Sequence, residues 1–155
     1  ISSYVYEPAG APLGVYVIAQ GLHYEGPDDP RFDRFARALA AAGFRVHAPK
    51  LSDYLALRVA EGAARELGDA TVAACDEAAK DGLPPPALFS ISFGSMPAIA
   101  VAARTDVGPR LGGLVIFGGY CDFGAAIGFA LTGRTKKILI LPVKKLMNYR
   151  NVSTS

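Results

Sequence analysis

Tryptophan is absent from these 155 residues, and cysteine, histidine and methionine occur only twice each. Cys75 and Cys121 are too few and too far apart for a disulfide scaffold or a cysteine-based metal site. Both read as ordinary thiols; their scarcity fits a reducing compartment, and the expected location is cytoplasmic. Long apolar runs are missing as well. The strongest, such as residues 111–117, fall short of the roughly 18 residues a membrane helix needs, and no basic segment leads into an apolar one as in a secretory signal. Neither a membrane span nor a signal peptide is expected, although a start at Ile1 rather than methionine leaves room for an upstream piece.

Acidic residues are lacking at one end. All 14 lie at or before Asp122, whereas Arg134, Lys136, Lys137, Lys144, Lys145 and Arg150 follow it. Ten basic residues against fourteen acidic ones give the body a charge of −4, and the six basic residues give the tail +6, for a net +2. Without aromatic interleaving or a recognisable binding module such a tail reads as solvated charge, and no nucleic-acid partner is expected. Four of the six lysines fall in it, so composition places a boundary near Arg134. The expected organisation is a core over residues 1–133 and a basic tail, or part of a further strand at 137–143, over 134–155.

With 51 % hydrophobic and 19 % charged residues, the chain as a whole is too apolar for disorder and too poor in charge for a coiled coil. Residues 15–19 form a continuous β-branched run, as in a strand buried on both faces, and Gly21 breaks it. Asp29 before Pro30 is a helix start; Phe32, Phe35, Ala36, Leu39 and Ala40 then recur at helical spacing, and Gly43 stands at the C-cap. Strands follow at 44–48, 87–91 and 111–117. An Ala-rich helix, with a break at Gly68-Asp69 and an end at Asp81-Gly82, lies between the first two of these, and a helix over 95–104 follows the second. This alternation predicts an α/β fold: three layers, a mostly parallel sheet with helices on both faces, and chemistry beyond the carboxyl ends of the strands.

One such end is Ser90-Ile91-Ser92-Phe93-Gly94, small-x-Ser-x-small between a predicted strand and a predicted helix. A serine on so sharp a turn has a strained backbone and an outward hydroxyl, and the turn closes only if the residues two before and two after are small. The same bend aims the Phe93 N–H, near a helix N-terminus, toward a developing oxyanion. The alternative is a serine that merely caps the helix. A second donor is expected from the loop Gln20-Gly21-Leu22-His23, as the Leu22 amide. His23 is tempting as a base but reads better as loop packing or a polar rim, and His47 as a partly buried or surface residue. Pro97 removes one hydrogen bond early in the following helix.

Residues 13–133, 121 of the 155, resemble the front portion of the α/β-hydrolase superfamily. QGLHYEGPDDPRFDRFARALAAAGFRVHAPKL is similar to its oxyanion-loop strand, first helix and next strand; LFSISFGSMPAIA resembles its nucleophile elbow; and LGGLVIFGGYCDF is similar to the strand that follows. The resemblance implies Ser92 as nucleophile, the Phe93 and Leu22 amides as oxyanion hole, and hydrolysis of an ester, thioester or amide. Departures are Ser90 for the usual first glycine, Gln20 where many members carry histidine, and the lack of any histidine after Ser92. Asp122 is either a displaced acid or a turn or cap residue, and residues 144–148 offer no carboxylate. The expectation is therefore a serine hydrolase acting on a small-molecule acyl substrate, in truncated form and with little activity alone. A non-catalytic binding module is the alternative. A nucleotide binder would need phosphate-cradling glycines, and Gly21 and Gly26 are spaced wrongly for that. Neither a metal nor an organic cofactor is implied, because no ligand cluster or Gly-rich fingerprint is evident.

Overall fold

The computed structural model describes residues 2–119 and 122–134. Cys121 and the expected strand at 137–143 lie outside the described residues. The chain divides into two compact units, Ile1–Cys121 and Asp122–Ser155.

In the first unit the strands are β1 (Ser3–Tyr6), β2 (Gly14–Ala19), β3 (Phe44–Pro49), β4 (Ala87–Ile91) and β5 (Gly113–Phe117), in the order β1-β3-β2-β4-β5. Four of them are parallel, with β2 flanked by β3 and β4. β1 is antiparallel to β3, Ser3 opposite Pro49 and Tyr6 opposite Val46. The sequence reading leaves residues 3–6 unassigned. Four residues with Tyr4 and Val5 exposed carry no clear alternation, and tertiary ties hold them: the Tyr4 hydroxyl donates to Asp28 Oδ1 at 2.6 Å and the Tyr6 hydroxyl to Asp33 Oδ1 at 3.1 Å.

Helices α1 (Pro30–Ala41), α2 (Ser52–Leu55), α3 (Gly62–Lys80) and α4 (Ser95–Ala102) connect the strands. Each face of the sheet has its own core. Val15, Val17, Ala19 and Leu88 join Leu67, Ala74, Ala98 and Val101 of α3 and α4, while Ile18, Val46 and Ala48 join Phe32 and Ala36 of α1. Successive residues of β2 thus enter opposite cores, which is why its sequence is apolar without alternation. Asp29 caps α1 by accepting the Arg31 N–H at 2.7 Å, and Gly43 takes the left-handed φ of +98° expected past its end.

The expected break at Gly68-Asp69 is not there; α3 runs unbroken from Gly62 to Lys80. The Arg104 guanidinium lies over Gly68, where a Cβ would have to displace it. The loop expected over 50–54 contains the single turn α2. In the second unit, Asp122 Oδ1 accepts the Ala125 N–H at 2.8 Å as N-cap of α5 (Phe123–Thr132), so it serves as a cap. Among the described residues no helix is long and apolar enough to cross a membrane.

Candidate active site

Ser92 follows β4 and opens a single 3₁₀ turn, Ser92–Gly94, that leads into α4. Its φ is +51°, a region that costs an ordinary residue about 1–2 kcal/mol. Both flanks hold it there. Two residues earlier, Ser90 is fully buried and its hydroxyl donates to the Val115 carbonyl of β5 at 3.3 Å. Two residues later, a Cβ on Gly94 would sit 2.6 Å from the Gln20 carbonyl oxygen and closer still to that of Ala19. The demand for a small residue after the serine is therefore steric. Pro97, the third residue of α4, lies in the first turn, where its missing N–H has no helical acceptor to lose.

The loop after β2 runs beside this bend. A Cβ built on Gly21 would lie 3.4 Å from both the Ser92 Cβ and the Ile91 carbonyl oxygen, so Leu22 follows within one residue of the elbow. The half-buried side chains of Leu22 and Phe93 pack on the α3 and α4 side of the sheet. Ser92, Gln20, Gly21, Leu22 and His23 line one open cavity of about 440 Å³, whose apolar wall is Phe32, Phe35 and Ile91. The half-buried Ser92 and the loop carrying Leu22 thus meet at one cavity.

His23 lies in that wall. Its Nδ1 lies 3.3 Å from the Glu25 amide nitrogen, whose N–H it accepts, and 3.5 Å from Asp29 Oδ2. The ring stacks on Tyr24, with centroids 4.7 Å apart. Asp29, also at the cavity, is clamped by Arg31, whose Nε and Nη2 donate to its two oxygens at 3.0 and 2.6 Å. These bonds hold the Asp29 carboxyl far below the usual carboxylate range. His23, Glu25 and Asp29 have ligand atoms within 4.8 Å of one another, the spacing of a metal site. Arg31 already donates to both oxygens of Asp29 and the Glu25 N–H to Nδ1 of His23, contacts with which a cation would have to compete.

His47 is elsewhere, on β3 toward α3, with Nε2 3.2 Å from Glu77 Oε2 but without a hydrogen bond. Burial lowers its pKa. Neighbouring Arg45 meets Glu7, Glu77 and Asp81 in the same network. A larger depression of about 680 Å³ between β1 and α1 is lined by Tyr4, Tyr6, Asp28, Asp33 and Arg37, whose polar ends already bond with one another or, for Asp28, with Lys50.

Two buried polar residues beyond the carboxyl ends of strands carry hydrogen bonds that the sequence does not assign to them. Tyr54 of α2 donates its hydroxyl to the Phe93 carbonyl at 2.8 Å. Gln20, oriented to satisfy both neighbours, donates from Nε2 to the Pro49 carbonyl at 2.8 Å and accepts the Leu51 N–H at 3.3 Å. The position of residues 49–54 at a strand's carboxyl end is the one signal that points to them.

No protein-family model and no curated protein matches the sequence. Solved structures do. A lipase in its open form is similar with a TM-score of 0.53 and 31 % identity, over 74 % of this chain and 38 % of its own. A dienelactone hydrolase from Anabaena variabilis is similar with 0.60 and 21 %, over 76 % and 56 %. A thermostable carboxyl esterase from Bacillus coagulans gives 0.57 and 22 %, over 82 % and 42 %. The chain spans between 38 % and 56 % of the length of these neighbours. The chain, with its mostly parallel sheet and covering helices, has the fold of these α/β hydrolases.

Proposed function

We propose that the chain is the nucleophile-bearing part of a serine hydrolase that cleaves a small ester, thioester or amide. The observation that carries this reading is the left-handed backbone of Ser92 at the strand-to-helix bend, beside a cavity with one apolar wall. In the reaction, Ser92 Oγ attacks the acyl carbonyl carbon; the new C–O bond forms as the carbonyl electron pair moves onto oxygen, where the Phe93 and Leu22 amides donate to it. The pair returns, the alcohol, thiol or amine leaves with a proton, and water then attacks the acyl-enzyme to release the acid and restore the hydroxyl. A base must take the serine proton and return it to the leaving group. No histidine follows Ser92 in these 155 residues. Loss of triad members costs several powers of ten in rate, and the chain by itself is correspondingly slow.

A fluorophosphonate ester tests the nucleophile directly: the Oγ–P bond forms, fluoride leaves, and the proton passes to water. The expected result is one covalent adduct on the intact chain by mass spectrometry, lost in Ser92→Ala. A folded chain that is never labelled, or one still labelled in Ser92→Ala, overturns the reading. The missing histidine favours a second reading, a binding module that holds a carbonyl or carboxylate at the elbow. It predicts saturable binding of a carboxylate without any adduct.

A further inference from the structure

Tyr54 and Gln20 take no part in that chemistry, yet each is a buried polar side chain tied to it. Tyr54 is 1 % exposed and Gln20 2 %. A buried hydroxyl or amide is unfavourable unless its hydrogen bonds are made, so a pair that makes them fixes the relative position of the segments it joins. Three bonds meet here. Gln20, the residue after β2 and two before Leu22, holds the Pro49 carbonyl and the Leu51 N–H; Tyr54, three residues beyond Leu51, holds the Phe93 carbonyl. Residues 49–54 therefore grip the loop bearing one amide and the turn bearing the other.

We propose that residues 49–54 form a bracket that sets the spacing of the oxyanion hole, with Tyr54 and Gln20 as positioning residues. The inference rests on the reading of Ser92 as nucleophile. The two amides, of Leu22 and Phe93, lie 71 residues apart in sequence, and nothing in the strand ladder fixes loop 20–23 beyond Ala19, where the pairing with β4 ends. The bracket supplies that constraint from the side. Burial pushes the Tyr54 phenol up to about 12, which keeps it a donor at every working pH. An oxyanion hole whose donors are displaced rather than removed loses rate in the bond-forming step, while binding of the ground state, which depends on the apolar wall, is left alone.

The test is labelling of the 155-residue chain by the fluorophosphonate over a range of concentrations, which separates the saturating rate from the half-saturation constant KI. Tyr54→Phe and Gln20→Met are each expected to lower the saturating rate about tenfold, a partial misplacement of the donors, with KI within about twofold and the shape of the pH profile unchanged. Cys75→Ala trims a buried side chain of α3 outside the bracket and is expected to lower the melting temperature but keep the rate. Wild-type rates in Tyr54→Phe and Gln20→Met overturn the bracket and leave Ser92 as nucleophile. So does a loss that Cys75→Ala shares, since general loosening then accounts for it. Should Tyr54→Phe not fold, Gln20→Met decides alone, because methionine matches glutamine in volume. A folded wild-type chain that never reacts removes nucleophile and bracket together.

Discussion

Gly94 and Gly113 stand at opposite extremes of the same unit. A Cβ on Gly94 would press into the backbone carbonyls of Ala19 and Gln20, whereas one on Gly113, in β5, would meet nothing within 4 Å. The contrast extends to their surroundings. Around Gly94 the chain is closed on itself, with Ser90, Ser95 and Ala98 fully buried, while β5 leaves Leu114, Val115, Ile116 and Phe117 exposed. The elbow is built to a tolerance below one methyl group, and β5 carries apolar surface that neighbouring described residues do not cover. Stability and reactivity should accordingly respond to small changes at the first region and hardly at all at the second.

The largest expected effect breaks the tight side of that contrast. Gly94→Ala has backbone rather than flexible side-chain atoms as its obstacle, so the loop after β2 must move; we expect a loss of about 3 kcal/mol in urea denaturation, together with loss of fluorophosphonate labelling. Gly113→Ala is the matched control, with a change within about 0.5 kcal/mol and labelling intact. Equal effects at the two positions would erase the distinction.

Much of the tight region is legible in sequence because its demands are local. Ser90, Ser92 and Gly94 lie within five residues, and Asp29-Pro30 announces its helix by capping chemistry alone. What escapes is non-local. The Tyr54 hydroxyl bonds a carbonyl 39 residues away, Tyr6 bonds Asp33 27 residues on, and Gly68 lies under Arg104 of a later segment. In sequence, Tyr54 sits in a polar loop and Gly68 looks like a helix breaker, since propensity sees only the neighbours along the chain. β1 escapes for the same reason: its four residues are held by pairing with β3 and by two tyrosine–carboxylate bonds, not by any pattern of their own.

A second prediction sharpens the comparison on the face of the sheet away from the cavity. His47 is buried against α3, and desolvation lowers its pKa, opposed by Glu77 and Glu7 and assisted by Arg45. The unfolded chain, with an ordinary histidine near 6.5, binds this proton more readily than the folded one. Stability then falls as pH drops through about 6.5, by at most about 1.4 kcal/mol per pH unit for one proton. His47→Gln should flatten that slope in denaturant titrations between pH 7 and 5, while Ser92 labelling at pH 7.5 stays as it was. An unaltered slope would assign the acid response to other groups.

The smallest effect on stability is expected at β5, and it carries the most information about that strand. Phe117 is 68 % exposed at the end of β5, the last strand among the described residues, and an exposed apolar strand with no charge or proline among its five residues invites pairing with another strand. Phe117→Lys places a charge there. Because the ring is already in water, the substitution should change the unfolding free energy by no more than about 0.5 kcal/mol, yet raise the concentration at which light scattering detects self-association. Fully burying a phenylalanine contributes about 1.5–3 kcal/mol, so a destabilisation of that size would mean that the ring is covered in solution, and the two regions would then differ less than their glycines suggest.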